Sequence, residues 1–426
     1  MLKASPTVAL ALALLAASPA LAGPIYVHAG RLVDPVSEKL LVNQLIKVVD
    51  GRVAAITPWT GAPKDGPVTD WSRYHVLPGL IDAHVHLADT DQSSNVAEPL
   101  LHSSADIAYL GARHARQTLK AGFTTVHNVG NFRALADVAL RDAINRGDVP
   151  GPRINAVGAY ITTPGGGGEV TGLSPDVTLP ADMRVGVVIS PEDVTRKVNY
   201  LFQNGVDSIK LIATGAVLAL GTEVGRQELT EAEMTAAVKA AASHGGWVTA
   251  HAHGAEGIKS AIRAGVRAIE HASLIDDEGI ALAKSKGVWL DMDVYNGDFI
   301  EEVGTRDGWP ADYLRKNRET TDLQREGFRK AVRAGVKMTF GTDAGVYPHG
   351  DNGKQFKYMV RFGMTPMQAI QAATVNGAAL LGWSKDVGAL SPGHYADMVA
   401  VDGDPLKDIT VLEQVKAVIK GGELVN

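Results

Sequence analysis

The sequence predicts an α/β protein: a (β/α)8 TIM-like barrel flanked by a small β-sandwich domain to which both ends of the chain contribute. Three observations lead there. A unit in which a helix-like segment ends near a glycine and an apolar strand follows recurs through the middle of the chain. Short β-type runs gather at the two ends. Third, Leu77-Pro78-Gly79-Leu80-Ile81-Asp82-Ala83-His84-Val85-His86-Leu87 reads as a buried strand that finishes in two histidines. Strand side chains alternate faces, so His84 and His86 point the same way and can share one metal ion. A His-x-His pair alone says little. Its weight comes from a lysine, further histidines and an aspartate at the ends of later strand-like segments.

In chain order, residues 1–22 stand apart. Lys3 precedes an apolar run over 8–17, and Ala20-Leu21-Ala22 supplies a small-residue cleavage pattern. This is the design of a secretory signal peptide, with cleavage expected after Ala22 and a periplasmic or secreted mature chain. The run is too short to cross a bilayer, so no stable membrane insertion is expected. The 426 residues are 45% hydrophobic and 21% charged, a globular balance, and a net charge of −6 gives no basic face for nucleic acid. With no cysteine, an exported chain is stabilised by core burial, metal or oligomerisation rather than disulfides. The same absence excludes thiolate ligands and cysteine nucleophiles.

Residues 23–77 form the first part of the β domain. The runs 25–29, 45–49 and 53–56 are strand-like, and Asp50-Gly51 between two of them signals a hairpin. Residues 385–426 form its second part, with β-type runs at 396–401 and 415–420. Pairing the two ends into one domain is the simplest arrangement; two separate edge ribbons are the alternative.

The barrel occupies residues 78–384. Glycines at 122, 205, 245, 265, 287 and 335 each precede an apolar run, as expected where a left-handed residue closes a helix. With the opening strand and the segment 153–161, eight strands result. Eight alternating units favour a closed barrel, whose active site lies at the strand C-terminal ends, over an open doubly wound sheet. Thr162-Thr163-Pro164-Gly165-Gly166-Gly167-Gly168 opens a long loop on that face, read either as a mobile lid or as a plain connector.

The candidate chemistry sits at these strand ends. Lys210 interrupts the apolar run 208–213, and an unpaired buried ammonium is costly. It either meets a carboxylate or changes chemical state, for example by reacting with carbon dioxide to give a carbamate. His251 and His253 share one face of the fifth strand, His271 ends the sixth, and Asp343 follows the eighth. Each alone has an ordinary reading as a core histidine or a helix cap. Together, imidazoles with a carboxylate or carbamate suit zinc or a similar divalent ion. Tyr160 ends the third strand, and His349 lies on the loop after the eighth; both are candidates for substrate contact. Asp82 is in phase with His84 but deeper, and reads as structural.

The motifs Pro78-Gly79-Leu80-Ile81-Asp82-Ala83-His84-Val85-His86, Ile209-Lys210, Thr249-Ala250-His251-Ala252-His253, Glu270-His271 and Gly341-Thr342-Asp343-Ala344-Gly345 carry a family resemblance. The chain resembles the amidohydrolase superfamily over nearly its whole length. Within it, it looks most like the imidazolonepropionase-related and Xaa-Pro dipeptidase group, which includes ochratoxin-hydrolysing amidases. The resemblance implies two divalent ions, zinc above all, with manganese and cobalt also compatible. His84, His86 and Asp343 would hold one ion, His251 and His271 the other, and N6-carboxylated Lys210 would bridge them. It further implies that Asp343 moves the proton of the attacking water. By position, His253, on the strand face of His251, is expected to touch the substrate or stabilise the oxyanion, and Tyr160, at the end of the third strand, to bond the carbonyl oxygen. A homo-oligomer is implied as well.

The expected activity is therefore hydrolysis of the amide bond of dipeptides or N-acyl amino acids, with ochratoxin-type amides as a further substrate class. Cyclic amides, as in imidazolonepropionase, and lactones compete on the same site. A binding protein that keeps the barrel without catalysis is the alternative of another class, and every expected ligand position is filled.

Overall fold

The computed structural model describes residues 23–426; the leader expected over residues 1–22 lies outside the described residues. The chain starts with β1 (Ile25–Asp34), β2 (Lys39–Val49), β3 (Arg52–Pro58) and β4 (Val68–Pro78). β2 runs antiparallel to β1 and β3, whereas β4 lies parallel to β1. Asp50 and Gly51 turn the β2–β3 hairpin with φ of 49° and 73°, the positive pair that an Asp-Gly turn of the I′ type needs.

The stretch 77–87, expected as one strand, is two. β4 ends at Pro78 and β5 (Leu80–Val85) begins the barrel. Gly79 is the crossing point: its N–H donates to the Asp397 carbonyl at 2.8 Å. A Cβ there would stand 2.2 Å from Thr124 Oγ1, so only glycine lets the backbone pass this close.

The barrel continues through β6 (Phe123–Asn128), β7 (Arg153–Ala156), β8 (Tyr160–Ile161), β9 (Ile209–Ile212), β10 (Val248–Ala252), β11 (Ala268–His271), β12 (Trp289–Asp291) and β13 (Met338–Thr339). Neighbours pair in parallel. The ring closes where Ala83 N–H reaches the Phe340 carbonyl at 2.8 Å and His86 N–H reaches Ala344 at 2.9 Å. The third strand, expected over 153–161, is broken into β7 and β8. The amides of Val157 and Gly158 leave the sheet to donate to Asp137 Oδ2 at 2.9 and 3.0 Å, and Gly158 takes φ 79°. Helices cover the outside. Those over Ala255–Ala264, Asp277–Lys286 and Ala311–Ala334 end on Gly265, Gly287 and Gly335 in the left-handed conformation.

The lumen is polar. Asp82, His127, Ser208, Glu270 and Asp291 are fully buried in it. Burial of such groups is tolerated because each has a hydrogen-bond partner close by. Asp82 accepts from Thr342 Oγ1 at 2.6 Å and Asn352 Nδ2 at 2.7 Å, the structural role read from its depth. His127 Nε2 meets Ser208 Oγ at 3.1 Å, and Ser208 donates to Asn155 Oδ1 at 2.5 Å.

The chain then returns to its first sheet with β14 (Met398–Val401), β15 (Ala417–Lys420) and β16 (Glu423–Leu424). β14 pairs antiparallel with β4, so both ends join one seven-stranded sheet of order β16-β15-β14-β4-β1-β2-β3. Its own core includes Val27, Leu32, Ile46, Trp71, Val76, Met398 and Ile419. Among the described residues no helix is long and apolar enough to cross a membrane.

Candidate metal centre

Strand alternation brings His84 and His86 to the barrel mouth together, with Nε2 atoms 3.3 and 3.1 Å from Asp343 Oδ1. Asp343 sits at φ 58°, a conformation an aspartate adopts at a cost and one that turns its carboxylate toward both rings. On the opposite wall, parallel pairing of β10 with β11 sets Ala252 beside His271. The rings of His251, His253 and His271 then stand 4.5 to 4.8 Å apart. His271 also has positive φ, 66°. Its ring lies 4.8 Å from that of His84, joining the two walls. One ligand atom from each of His84, His86 and Asp343 falls within 4.8 Å of the others, as does one from each of His251, His253 and His271.

Lys210 rises between them. Its Nζ is buried with no hydrogen-bond partner. Burial pushes the amine below its ordinary value despite the carboxylates of Glu270 and Asp343 nearby, which makes its neutral, carbon dioxide-reactive form more accessible than that of an exposed lysine. Burial, then His271, pushes His251 and His253 well below the usual imidazole range, which leaves their ring nitrogens free to ligate. Burial alone would raise Asp343, but His84 and His86 hold it well below the carboxylate range. Burial and Lys210 oppose a charge on His84, yet Glu270 and Asp343 carry its imidazole up to about 10. Without a cation the centre holds a proton on His84 that a divalent ion would replace. The orphaned amine, the neutral imidazoles and the ionised aspartate form a donor set that would suit divalent cations.

Three of the four candidate ligand rings, those of His84, His86 and His271, are fixed from behind. His84 Nδ1 donates to Glu270 Oε2 at 2.8 Å, His86 Nδ1 donates to the Gly130 carbonyl at 2.9 Å, and His271 Nδ1 donates to Asp293 Oδ1 at 3.0 Å. Asn296 Nδ2 bonds both Asp293 Oδ2 at 2.8 Å and Asp343 Oδ2 at 3.1 Å, and Gln324 Nε2 bonds Asp293 Oδ1 at 2.9 Å. Such partners set the tautomer and basicity of a ligating imidazole. The roles of Glu270, Asn296 and Gln324 were missed in the sequence. Glu270 had a signal, a carboxylate inside an apolar strand; the two helix amides had none.

Tyr160 lines the cavity with Oη 3.0 Å from His86 Nδ1. Burial, then Asp89, raises its phenol well above its ordinary value, so it stays a neutral O–H donor. His253 lines the same cavity, with Nδ1 2.8 Å from Ser273 Oγ. His349 does not reach the cavity, which corrects its reading as a substrate contact. The turn after Asp343 carries it behind the mouth, where its ring stacks on His114 at 4.4 Å. The glycine loop is packed rather than loose. Gly167 N–H donates to Glu228 Oε2 at 2.9 Å, and a Cβ on Gly168 would lie 2.9 Å from Tyr160, Thr162 and Ile212 atoms. These glycines allow close approach to the cavity wall.

The cavity above the histidines has a volume of about 200 Å³. Phe132, Ile212, Val217, Leu218 and Ile300 give it apolar walls, and Asp89, Glu98 and Glu169 give it carboxylates.

The amidohydrolase family model matches residues 75–425. The ochratoxinase of Aspergillus niger is 29% identical over 421 residues, covering 93% of this chain and 86% of that protein. Its crystal structure superposes with a TM-score of 0.83 at 27% identity, covering 94% of this chain and 95% of that one. A Xaa-Pro dipeptidase with methionine bound in its active site is 38% identical, with a TM-score of 0.89 over 94% of this chain and 99% of that one. A prolidase complexed with N-methylphosphonate-L-proline is 27% identical, with a TM-score of 0.87 over the same shares, 94% and 99%.

Proposed function

The chain belongs to the amidohydrolase family and is a hydrolase of amide bonds, and on that premise we propose that it is an exported, binuclear metal-dependent enzyme cleaving dipeptides. N-acyl amino acids, including ochratoxin-type amides, form the second substrate class. The observation that carries the reading is the convergence of His84, His86, Lys210, His251, His271 and Asp343 at one barrel mouth, with the lysine amine unpartnered. N6-carboxylation of Lys210 converts that buried amine and carbon dioxide into a carbamate and a proton. Two divalent cations, zinc in this proposal, would polarise the substrate carbonyl and acidify water.

The side chains divide the remaining work. Asp343, ionised and fixed by Asn296, accepts the proton of the attacking water and returns it to the leaving nitrogen. His253, with Ser273 holding Nδ1, presents Nε2–H to the oxyanion. The Tyr160 hydroxyl stands on the opposite side as a second donor. Charge on the cavity wall favours a dipeptide. Glu169 Oε1 is buried without a hydrogen-bond partner, 3.7 Å from the half-exposed Arg184. Among the described residues Lys210 is the only lysine or arginine lining the cavity. A free substrate ammonium meets the carboxylates of Asp89, Glu98 and Glu169 there. Likeness to a Xaa-Pro dipeptidase at 38% identity points the same way.

The test is product analysis by mass spectrometry over dipeptides, N-acyl amino acids, cyclic amides and lactones. Release of both halves of a dipeptide, lost in Lys210→Ala and Asp343→Ala, is expected. Turnover confined to cyclic amides or lactones, or wild-type rates in either variant, overturns the proposal. Export and the homo-oligomer belong to the same proposal, checked by the amino terminus of the mature protein and by its mass in solution.

A further inference from the structure

Behind the catalytic mouth, the loop after β5, the helix Ser104–Lys120 and the loop after β13 bring Asp91, His114 and His349 together. One ligand atom from each lies within 4.8 Å of the other two, and Asp91 Oδ1 is 3.5 Å from His114 Nε2, close to the spacing of two ligands on a tetrahedral ion. Both rings are buried, stacked at 4.4 Å and 25°. Their other nitrogens are already engaged. His114 Nδ1 is bonded to the Leu87 carbonyl at 3.0 Å, and His349 Nδ1 is 3.4 Å from Thr118 Oγ1. A backbone carbonyl behind an imidazole is the usual outer partner of a metal-ligating histidine. His349 Nε2 is left buried with no partner at all, and buried polar atoms in that state call for an explanation.

We propose that Asp91, His114 and His349 bind a further zinc-class divalent cation, separate from the catalytic pair, whose fourth position is open to water. Arg113 Nη2 stands 3.0 Å from His114 Nε2 and 3.4 Å from Asp91 Oδ2, on a side chain 55% exposed. It holds the carboxylate in place without the ion and turns into solvent when the ion enters. The cation would tie the loop bearing Asp89 and Asp91, part of the cavity wall, to the loop that follows Asp343. It does not depend on the catalytic reading.

The experiment counts zinc per chain after chelator treatment and titration with Zn²⁺ alone, in the full-length protein. About three equivalents are expected, two at the catalytic centre and one here. Asp91→Asn and His349→Ala each remove one, and His84→Ala with Asp343→Ala leaves the Asp91-dependent ion in place. Zinc content unchanged by Asp91→Asn overturns the proposal, and because that side chain is half exposed the variant decides the matter even where His349→Ala fails to fold. One ion in total, sensitive to Asp91 and indifferent to Asp343, would keep this site and sink the catalytic centre. Two ions sensitive only to Asp343 would do the reverse.

Discussion

Lys316 is fully buried in the helix Ala311–Ala334, and its removal gives a quantitative test of how the cavity wall is held. Its ammonium donates to the carbonyls of Ala216, Ala219 and Thr222 at 3.0, 2.5 and 3.3 Å, and pairs with Asp312 at 3.0 Å. Those carbonyls belong to the loop whose Ala216, Val217 and Leu218 line the cavity. Lys316→Met keeps the apolar stem and takes the ammonium away from three buried acceptors. Ala216 and Ala219 are left to share the Thr222 hydroxyl at 3.2 and 3.1 Å, and the Thr222 carbonyl is left without a replacement. At roughly 1 kcal/mol or more for each ammonium bond lost, the gross loss is about 3–4 kcal/mol. Burial already lowers the amine below its ordinary value, against the pull of Asp312, so relief of its desolvation returns part of this. A net loss of about 2–3 kcal/mol, concentrated in one loop, accelerates local amide exchange by about 30- to 150-fold. Hydrogen exchange by mass spectrometry reads it on residues 215–224, with a rise in KM as the functional counterpart. Asp312→Asn, which spares the three carbonyl bonds, should show a much smaller effect. Exchange in that loop within threefold of wild type would refute the reasoning.

Asp293→Asn weakens the hold on His271 and should lower zinc affinity at the catalytic centre by about 10- to 100-fold, read by competition with a chelating dye; unchanged affinity would remove Asp293 from the centre. Burial, with Arg153 adding to it, lowers Lys420 from 10.5 to about 8. The unfolded chain therefore binds more protons between these values, and the penalty is full below pH 8 and relieved on the way to 10.5. Denaturant melts should show wild type gaining up to about 3 kcal/mol relative to Lys420→Met over that window, and parallel pH profiles would contradict it. Gly79→Ala places a Cβ 2.2 Å from Thr124 Oγ1 and 2.8 Å from Asp397 Cβ. It should cost about 1–3 kcal/mol in the same assay, and a neutral result would show that the crossing between the two sheets yields easily.

How far the site could be read in advance depended on distance along the chain. His84 and His86, or His251 and His253, share a face because the strand period is two, and this holds wherever the strand lies. The helix stops at Gly265, Gly287 and Gly335 are equally local. The breaks in the first and third strands were not legible, because their causes are remote. Asp397 takes the Gly79 amide from the far end of the chain, and Asp137 draws Val157 and Gly158 out of the sheet. His349 was misplaced for a related reason: a loop position says that a side chain is near a strand end, not on which side of it.

By itself the sequence determined which side chains lie at strand ends and which of them face together, since backbone chirality and pleat fix this within a few residues. Only the tertiary structure decided which of them meet. Glu270 reaches His84 across 186 positions, and Lys210 is orphaned among carboxylates it does not touch. The stack of His349 on His114 depends likewise on how the barrel closes. Closure is set by the packing of the whole core, and a linear pattern of residues does not encode the distance between two points on a ring until the ring has formed.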